Sequence, residues 1–243
     1  MVPPVLEPFT LPFVQRGVLE VLILSIPAGL LGTWIVLRGL AFFSHAVGTA
    51  TFPGWVLASG LGFAAPLGAL AAAGAFTAAT FGLSRGREDD GGGATALGLV
   101  ACLAIGVILA SDVFHSGSNI ESLLFGSLLL IGGRDVLGAS LAAGAVVLVS
   151  VLVGSRWLAV GFDRDNARAL RSPPPLLDAL LLALIAIAVT ASLTAVGALL
   201  VSALFVLPAA TARLYARRLL TLQLSSIGLA AVEAVSGLWI AVQ

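Results

Sequence analysis

Few side chains in this sequence are of the types that bind a metal or act as an acid, base or nucleophile. There are two histidines, His45 and His115, and one cysteine, Cys102, so a disulfide within the chain and a cysteine-rich metal site are both excluded. Ser44 precedes His45, but adjacent residues on a helix point about 100° apart and do not form a nucleophile and base pair. No G-x-S-x-G or H-E-x-x-H pattern is present. An intramembrane enzyme is therefore the weaker interpretation, and His45 is the candidate metal ligand.

The basic residues of the chain are all arginines, because the sequence contains no lysine. A P-loop needs a lysine to reach the β- and γ-phosphates of a nucleotide, and no G-x-x-x-x-G-K-[ST] run is present. Any ATP-driven step therefore needs a partner protein. The formal net charge of zero argues against a nucleic-acid surface, which would show an excess of basic residues.

The elements that position these residues are predicted to lie in a membrane. Hydrophobic residues make up 59% of the chain and charged residues 10%, against roughly 25% charged residues in soluble domains. So few charges cannot cover a globule of this length, and lipid must therefore face much of the surface. We expect an all-α, polytopic bundle in which residues 1–243 form one domain.

Eight apolar segments are long enough to cross a bilayer, which takes about 20 residues in a helix. They cover approximately 17–37, 41–62, 65–83, 94–110, 135–153, 176–194, 196–214 and 222–241. The apolar stretch from Leu123 to Ile131 is too short to span, and we interpret it as a re-entrant or surface-lying segment.

Arginine placement predicts the orientation, because positively charged short loops are retained in the cytoplasm. An outside N-terminus leaves only Arg16 and Arg134 outside and puts every other arginine in the cytoplasm; the opposite orientation reverses that ratio. The first fifteen residues contain no basic residue, so no cleavable signal peptide is expected. Glu20 lies in apolar surroundings, and we expect it to reach the membrane interface near Arg16.

The most informative loop is SRWLAVGFDRDNARALRSPPP, residues 155–175, which this orientation places in the cytoplasm. Asp163 suits the cap of a short helix, and Pro173 to Pro175 would end it. An ordinary basic connecting loop and a docking surface for a cytoplasmic partner both fit this pattern.

Residues 162–214 resemble the permeases of zinc-, manganese- and iron-type ABC importers. In that family an Asp-x-x-x-Ala-x-x-x-Gly coupling segment precedes a V-G-x-L-L-V-x-A-L-x-x-L-P-A-A-x-A-R pattern. Asp163 and Ala167 match the first, although Arg171 stands where glycine is usual. The matches to the second are Val196, Gly197, Leu199, Leu200, Val201, Ala203, Leu204, Leu207, Pro208, Ala209, Ala210, Ala212 and Arg213. The resemblance also covers Phe13 to Gly54 and the LLFGSLLLI stretch.

This resemblance implies a homodimeric permease in the bacterial cytoplasmic membrane. Its coupling segments, with Asp163, Ala167, Arg168 and Arg171, would dock on a cytoplasmic ATPase dimer, and an extracytoplasmic binding protein would deliver the metal. No permanently bound cofactor is implied, since the divalent ion is the cargo. A permease for a metal chelate, such as a siderophore or corrinoid, is the alternative.

The resemblance also implies which residues face the metal and which allow gating. Members carry an Asp-Ala-x-Ser-His-Ala-x-x-Pro-Gly run whose aspartate and histidine bind the ion. Aligned on Pro53 and Gly54, this sequence has His45 in the aspartate position and Thr49 in the histidine position. Imidazole is a good ligand for zinc or iron, whereas a threonine hydroxyl is a poor one. Pro53, Gly54 and Pro208 are the expected kink positions.

Two further expectations concern the outer loop and the end of the chain. His115, with Asp112 and Glu121 near it in sequence, could attract metal at the pore mouth, but an exposed polar loop is the commoner explanation of this pattern. Family members continue beyond the Gly237-Leu238-Trp239 region into a final span, which is therefore expected to be missing here.

Overall fold

The computed structural model describes residues 11–84, 92–113, 125–127, 131–163 and 174–242. Eight helices account for nearly all of these residues, and no strand occurs among them. The helices are α1 (Pro12–Leu37), α2 (Ala41–Leu61), α3 (Ala65–Ser84), α4 (Gly92–Ile108, continued by a π-helical turn Leu109–Val113), α5 (Gly133–Phe162), α6 (Pro174–Val196), α7 (Val201–Arg213) and α8 (Leu219–Val242). The predicted all-α bundle is confirmed.

Every predicted span overlaps one of these helices, but the helices differ in their ability to cross a membrane. In the described part of the chain, 6 helices are long and apolar enough to do so, and these are α1, α3, α4, α5, α6 and α8. Helix α2 has 21 residues but carries several polar side chains. Helix α7 has only 13 residues, about 20 Å of helix, so the span predicted at 196–214 is shorter than expected.

Helix α2 is covered by other helices over much of its length, which explains how it tolerates its polar residues. It packs against α3, α4, α6 and α7. Ser44, Thr49 and Thr51 are buried, and their hydroxyls donate hydrogen bonds to carbonyls three or four residues earlier in the same helix. Such bonds satisfy a hydroxyl without a partner from another helix. These three polar residues of α2 therefore face protein.

Helices α1 and α5 run in the same direction. Leu24 of α1 lies in one apolar cluster with Ala139 of α5, and Trp34, further along α1, packs edge-to-face on Trp157 of α5, with ring centroids 5.7 Å apart. Three helices, α2 to α4, separate α1 from α5 in sequence. Successive spans alternate in direction, so two parallel spans are separated by an odd number of others, and three satisfies this requirement. A further span between α4 and α5 would reverse α5, so the parallel alignment supports the interpretation that the 123–131 stretch does not span.

The described part of that stretch, residues 125–127 and 131, packs on the end of α6. The Ser127 backbone N–H donates to the Thr194 carbonyl at 3.0 Å, and Ile131 is buried in the cluster with Leu24 and Ala195. A helix leaves its last carbonyls without partners. The 125–127 segment therefore satisfies one carbonyl at the end of α6.

Helix α6 ends inside the bundle, next to Gly197. This residue has φ 82°, a left-handed conformation that favours glycine, and the chain enters α7 four residues later. Helix α7 then runs beside α1, where Phe205 meets Gly32 and the Arg213 guanidinium donates to the Val36 carbonyl at 3.3 Å. Helix α7 is short because it begins within the bundle.

The cytoplasmic loop predicted at 155–175 is shorter than expected, which is a correction. Helix α5 continues to Phe162, and Trp157 is fully buried with its indole N–H donating to the Leu177 carbonyl at 2.9 Å. Pro174 and Pro175 lie in the first turn of α6, where proline fits because no N–H partner is needed. Because Trp157 is buried against the bundle, residues 155–162 continue α5 instead of forming a loop.

At one end of the bundle, Arg38 links the end of α1 to α5 and α6. The Arg38 guanidinium forms an ion pair with Asp178 and also donates to the Trp157 carbonyl at 2.8 Å. Further described arginines at this end lie in the last turns of α5 and α7 or just beyond α7, and these are Arg156, Arg213, Arg217 and Arg218. Arg16 and Arg134 lie near the first residues of α1 and α5, at the opposite end. The described arginines are thus divided unevenly between the two ends.

Candidate functional site

His45 lies in the second turn of α2, on the side that faces α7. Its side chain is half-buried, and its Nδ1 atom lies 3.2 Å from the hydroxyl oxygen of Ser202. A hydrogen bond at one ring nitrogen fixes the orientation of an imidazole and leaves the other nitrogen as its ligand atom. The contact with Ser202 therefore makes Nε2 the candidate ligand atom of His45.

Thr49 lies one turn further along α2 and is buried. Its hydroxyl donates to the His45 carbonyl at 3.3 Å, a bond within the helix. The proton of this hydroxyl is thus committed to the backbone, and only its oxygen lone pairs remain for another partner. The structure places Thr49 beside His45 in sequence and space, and its hydroxyl oxygen is a weak ligand for a transition metal.

Ser202 was not predicted from the sequence. It lies in the first turn of α7, and it reaches His45 only because α6 stops before Gly197 and the chain resumes as a helix at Val201. A glycine in the middle of an apolar run was the available signal, since it marks a break at which polar groups can gather.

The break between α6 and α7 also brings backbone close to α2. A Cβ on Gly48 would lie 3.0 Å from the Ala198 carbonyl oxygen and 3.0 Å from the Val201 side chain. Gly48 thus allows α2 to approach the broken segment. Carbonyls at the C-terminal end of a helix carry partial negative charge and can contribute to a cation site.

The expected kink positions lie inside helices. Pro53 is within α2 and Pro208 within α7, and neither can donate to the carbonyl four residues earlier. Gly54 faces α3, where an added Cβ would meet the Gly68 carbonyl. The role of these residues in gating stays a prediction.

The expected coupling residues are only partly described. Asp163 follows the last residue of α5 and is exposed. Ala167, Arg168 and Arg171 lie outside the described residues, as does His115. Among the described residues no group of three or more His, Cys, Asp or Glu side chains comes together. Within the described part of one chain, His45 is therefore not part of a cluster of acidic or other metal-binding side chains.

Glu20 is buried within the bundle rather than exposed beside Arg16. Its side chain is 0% exposed, and neither carboxylate oxygen has a hydrogen-bond partner among the described residues. Glu20 shares a helix face with Gly17 and Leu24, which are buried, whereas Arg16 is exposed one turn nearer the helix end. Packing of that face against α5 explains the burial.

Comparison with known proteins identifies the family. Residues 10–243 match the family model described as the ABC 3 transport family. The chain belongs to the ABC 3 transport family. This match covers nearly the whole chain, including α2 with His45 and the broken α6–α7 pair, so the contact of His45 with Ser202 lies within the family fold.

Two curated relatives and one solved structure illustrate this ABC 3 membership. The chelated iron transport system membrane protein YfeD of Yersinia pestis is 32% identical over 83% of this chain and 68% of its own length. The manganese transport system membrane protein MntC of Halalkalibacterium halodurans is 30% identical over 95% of this chain and 79% of its own. PsaBC from Streptococcus pneumoniae, solved in complex with a Fab, has a TM-score of 0.88 and 27% identity, covering 99% of this chain and 87% of that one.

The predicted family is thus confirmed for this ABC 3 chain, and with it the assignment as a multi-pass membrane permease of an ABC metal importer. A permease of this kind works with an ATPase and a substrate-binding component. The family match does not bear on the individual ligands, so His45 and Thr49 stay predictions that rest on their geometry.

Proposed function

We propose that this chain is the membrane-spanning permease of an ABC importer that carries a divalent metal ion, of the manganese or iron class, into the cell. The observation that carries the proposal is the contact between His45 and Ser202. It puts a single oriented imidazole beside a broken helix inside the bundle, within a family whose relatives are named for manganese and iron transport.

The chemistry of this site suits passage rather than storage of an ion. The Nε2 atom of His45 supplies one nitrogen ligand, and the hydroxyl oxygen of Thr49 and nearby carbonyls would supply weaker oxygen ligands. A site with few strong ligands per chain binds its ion loosely enough to release it. Zinc would bind such an imidazole well, but YfeD and MntC are named for iron and manganese, which favours these two ions as the cargo.

Two copies of the chain would complete the site. A homodimer with a two-fold axis near α2 would bring two His45 side chains to one ion and so replace the missing acidic ligand with a second imidazole. Lipid would surround the outer faces of the bundle, where large apolar side chains such as Leu141 and Val151 are exposed.

The driving force would come from a separate ATPase dimer in the cytoplasm. The chain has no P-loop lysine, so it would neither hydrolyse ATP nor act as an enzyme itself. Asp163 at the end of α5 leads into residues 164–173, where Ala167, Arg168 and Arg171 would contact the ATPase. Closure of the ATPases would then shift the permease between two conformations.

We further propose that the N-terminus lies outside the cytoplasmic membrane. The arginine-rich end of the bundle, with Arg38 and Arg213, would face the cytoplasm, as positively charged ends do. The end with Arg16 and Arg134 would receive the ion from an extracytoplasmic binding protein.

The test is metal uptake into vesicles that contain the full chain with its ATPase. We expect ATP-dependent uptake of Mn²⁺ or Fe²⁺, its loss in His45→Ala, and its retention in the matched control His115→Ala. Parental uptake by His45→Ala would remove His45 as a ligand. Uptake of a ferric chelate without any uptake of free ions would instead favour the chelate permease, and turnover by the chain without partners would favour an enzyme.

A further inference from the structure

Glu20 is the most unusual charged residue in the described part of the chain. It lies within the membrane-spanning helix α1, its side chain is 0% exposed, and neither Oε1 nor Oε2 has a hydrogen-bond partner among the described residues. An ionised carboxylate in an apolar interior costs several kcal/mol unless a positive charge or hydrogen bonds compensate it. An ionised Glu20 therefore needs a nearby positive charge or hydrogen-bond donors to offset the free energy of its burial.

The chain's own cations do not supply that charge within the described residues. Arg16 lies one turn before Glu20, and Arg134 directly precedes Asp135, yet both are exposed and neither forms an ion pair with a described carboxylate. The ion pair of Arg38 with Asp178 lies at the other end of the bundle. The positive charges nearest in sequence therefore leave Glu20 uncompensated.

Asp135 brings a second negative charge to the same place. Its charge acts on Glu20 across the interface of α1 with α5. One Asp135 oxygen accepts the Gly132 backbone N–H at 2.9 Å, which caps α5 and fixes the side chain. Because Leu24 packs with Ala139 one turn further along both parallel helices, Glu20 and Asp135 lie level with each other. Two carboxylates at one level favour a cation more strongly than one.

We propose that Glu20 and Asp135 form a binding site for a divalent metal ion at the N-terminal end of the bundle. Carboxylate oxygens suit hard ions such as Mn²⁺, Mg²⁺ and Ca²⁺. The buried layer of Leu24, Ala139 and Ala195 lies between this pair and the rest of the bundle, so the site is separate from His45. It goes beyond the proposed function, because the ion would bind here whether or not His45 is a ligand.

The test is equilibrium binding of radioactive Mn²⁺ to the full chain purified in detergent. Four proteins are compared: the parental chain, Glu20→Gln, His45→Ala and the double variant. We expect Glu20→Gln to lose one bound ion per chain, or to bind it at least roughly tenfold more weakly, in both His45 backgrounds. Loss of a bound ion in His45→Ala but not in Glu20→Gln would be assigned to the transport site. The outcome for Glu20 therefore does not depend on the outcome for His45.

Two further variants separate ion binding from folding. Asp135→Asn retains an oxygen to cap α5 and should weaken the same binding step, whereas Glu233→Gln removes an exposed carboxylate of α8 and should leave binding unchanged. Thermal unfolding of each variant without metal confirms that it is folded. Unchanged Mn²⁺ binding in folded Glu20→Gln and Asp135→Asn would overturn the proposal and indicate that Glu20 is carried as a neutral acid.

Discussion

The imidazole of His45 and the hydroxyl of Ser202 lie 3.2 Å apart and join helix α2 to the short helix α7. This contact holds the ring at the point where α6 has ended and α7 begins. Ser202 is thus placed to orient the imidazole of His45.

Ser202→Ala should therefore weaken transport without abolishing it. Loss of a residue that orients a metal-binding histidine typically lowers metal affinity by about 10- to 100-fold, so we expect a higher KM for the metal ion with a smaller change in kcat. Uptake measured over a range of metal concentrations in vesicles separates the two constants. Ser59→Ala, on an exposed part of α2, is the matched control. A parental KM in Ser202→Ala would contradict an orienting role.

Gly32→Ala should destabilise the fold far more than Gly74→Ala. A Cβ on Gly32 would collide with the backbone carbonyl of Phe205 in α7, whereas one on Gly74 of α3 would meet no atom within 4 Å. Overpacking of this kind costs about 1–3 kcal/mol, and more where the obstacle is backbone. Thermal unfolding in detergent should show a clearly lower Tm for Gly32→Ala alone. Equal Tm values would mean that α1 and α7 separate easily.

Gly197→Ala tests the break between α6 and α7. Gly197 has φ 82°, and a non-glycine residue in this conformation costs about 1–2 kcal/mol. We expect a moderately lower Tm together with slower transport, because Ser202 and the carbonyls at the break depend on this turn. Gly144→Ala is the control, since an added Cβ there meets no atom within 4 Å. Parental transport in Gly197→Ala would show that the turn tolerates another conformation.

The ion pair of Arg38 with Asp178 should contribute to stability as a unit. The two side chains are 15% and 19% exposed, and breaking such a pair leaves one charge with poor solvation. Arg38→Ala and Asp178→Ala should each lower Tm, and the double variant should be no less stable than the worse single variant. Arg213→Ala, an exposed arginine, should change Tm little. Additive losses in the double variant would show that the two residues act independently.

The number and order of the helices were predictable from the sequence, because apolar runs of about 20 residues bounded by arginine and glycine indicate membrane spans. His45 was also placed correctly in an apolar helix. The start of α7 at Val201 was harder to predict, since Gly197 in an apolar run signals a break but does not show that the helix resumes only four residues later.

The positions of Ser202 and Glu20 were unpredictable for a related physical reason. Ser202 meets His45 across 157 residues of sequence, and Glu20 is buried by a helix that begins at Gly133. Periodicity within one helix shows which residues share a face, but it does not show which helix covers that face. The loop at 155–175 was misjudged similarly, because the burial of Trp157 depends on Trp34 and Leu177.

Close glycine contacts join α1 to α7 and α8 in one packed group of helices and α2 to α3 in another. At Gly32 and Gly29, α1 lies against the backbones of α7 and α8, and at Gly54 and Gly68, α2 lies against α3. Helices in such close contact resist sliding past each other and move together. His45 lies on α2 and Ser202 on α7, so any displacement between these two helices changes the length of that hydrogen bond.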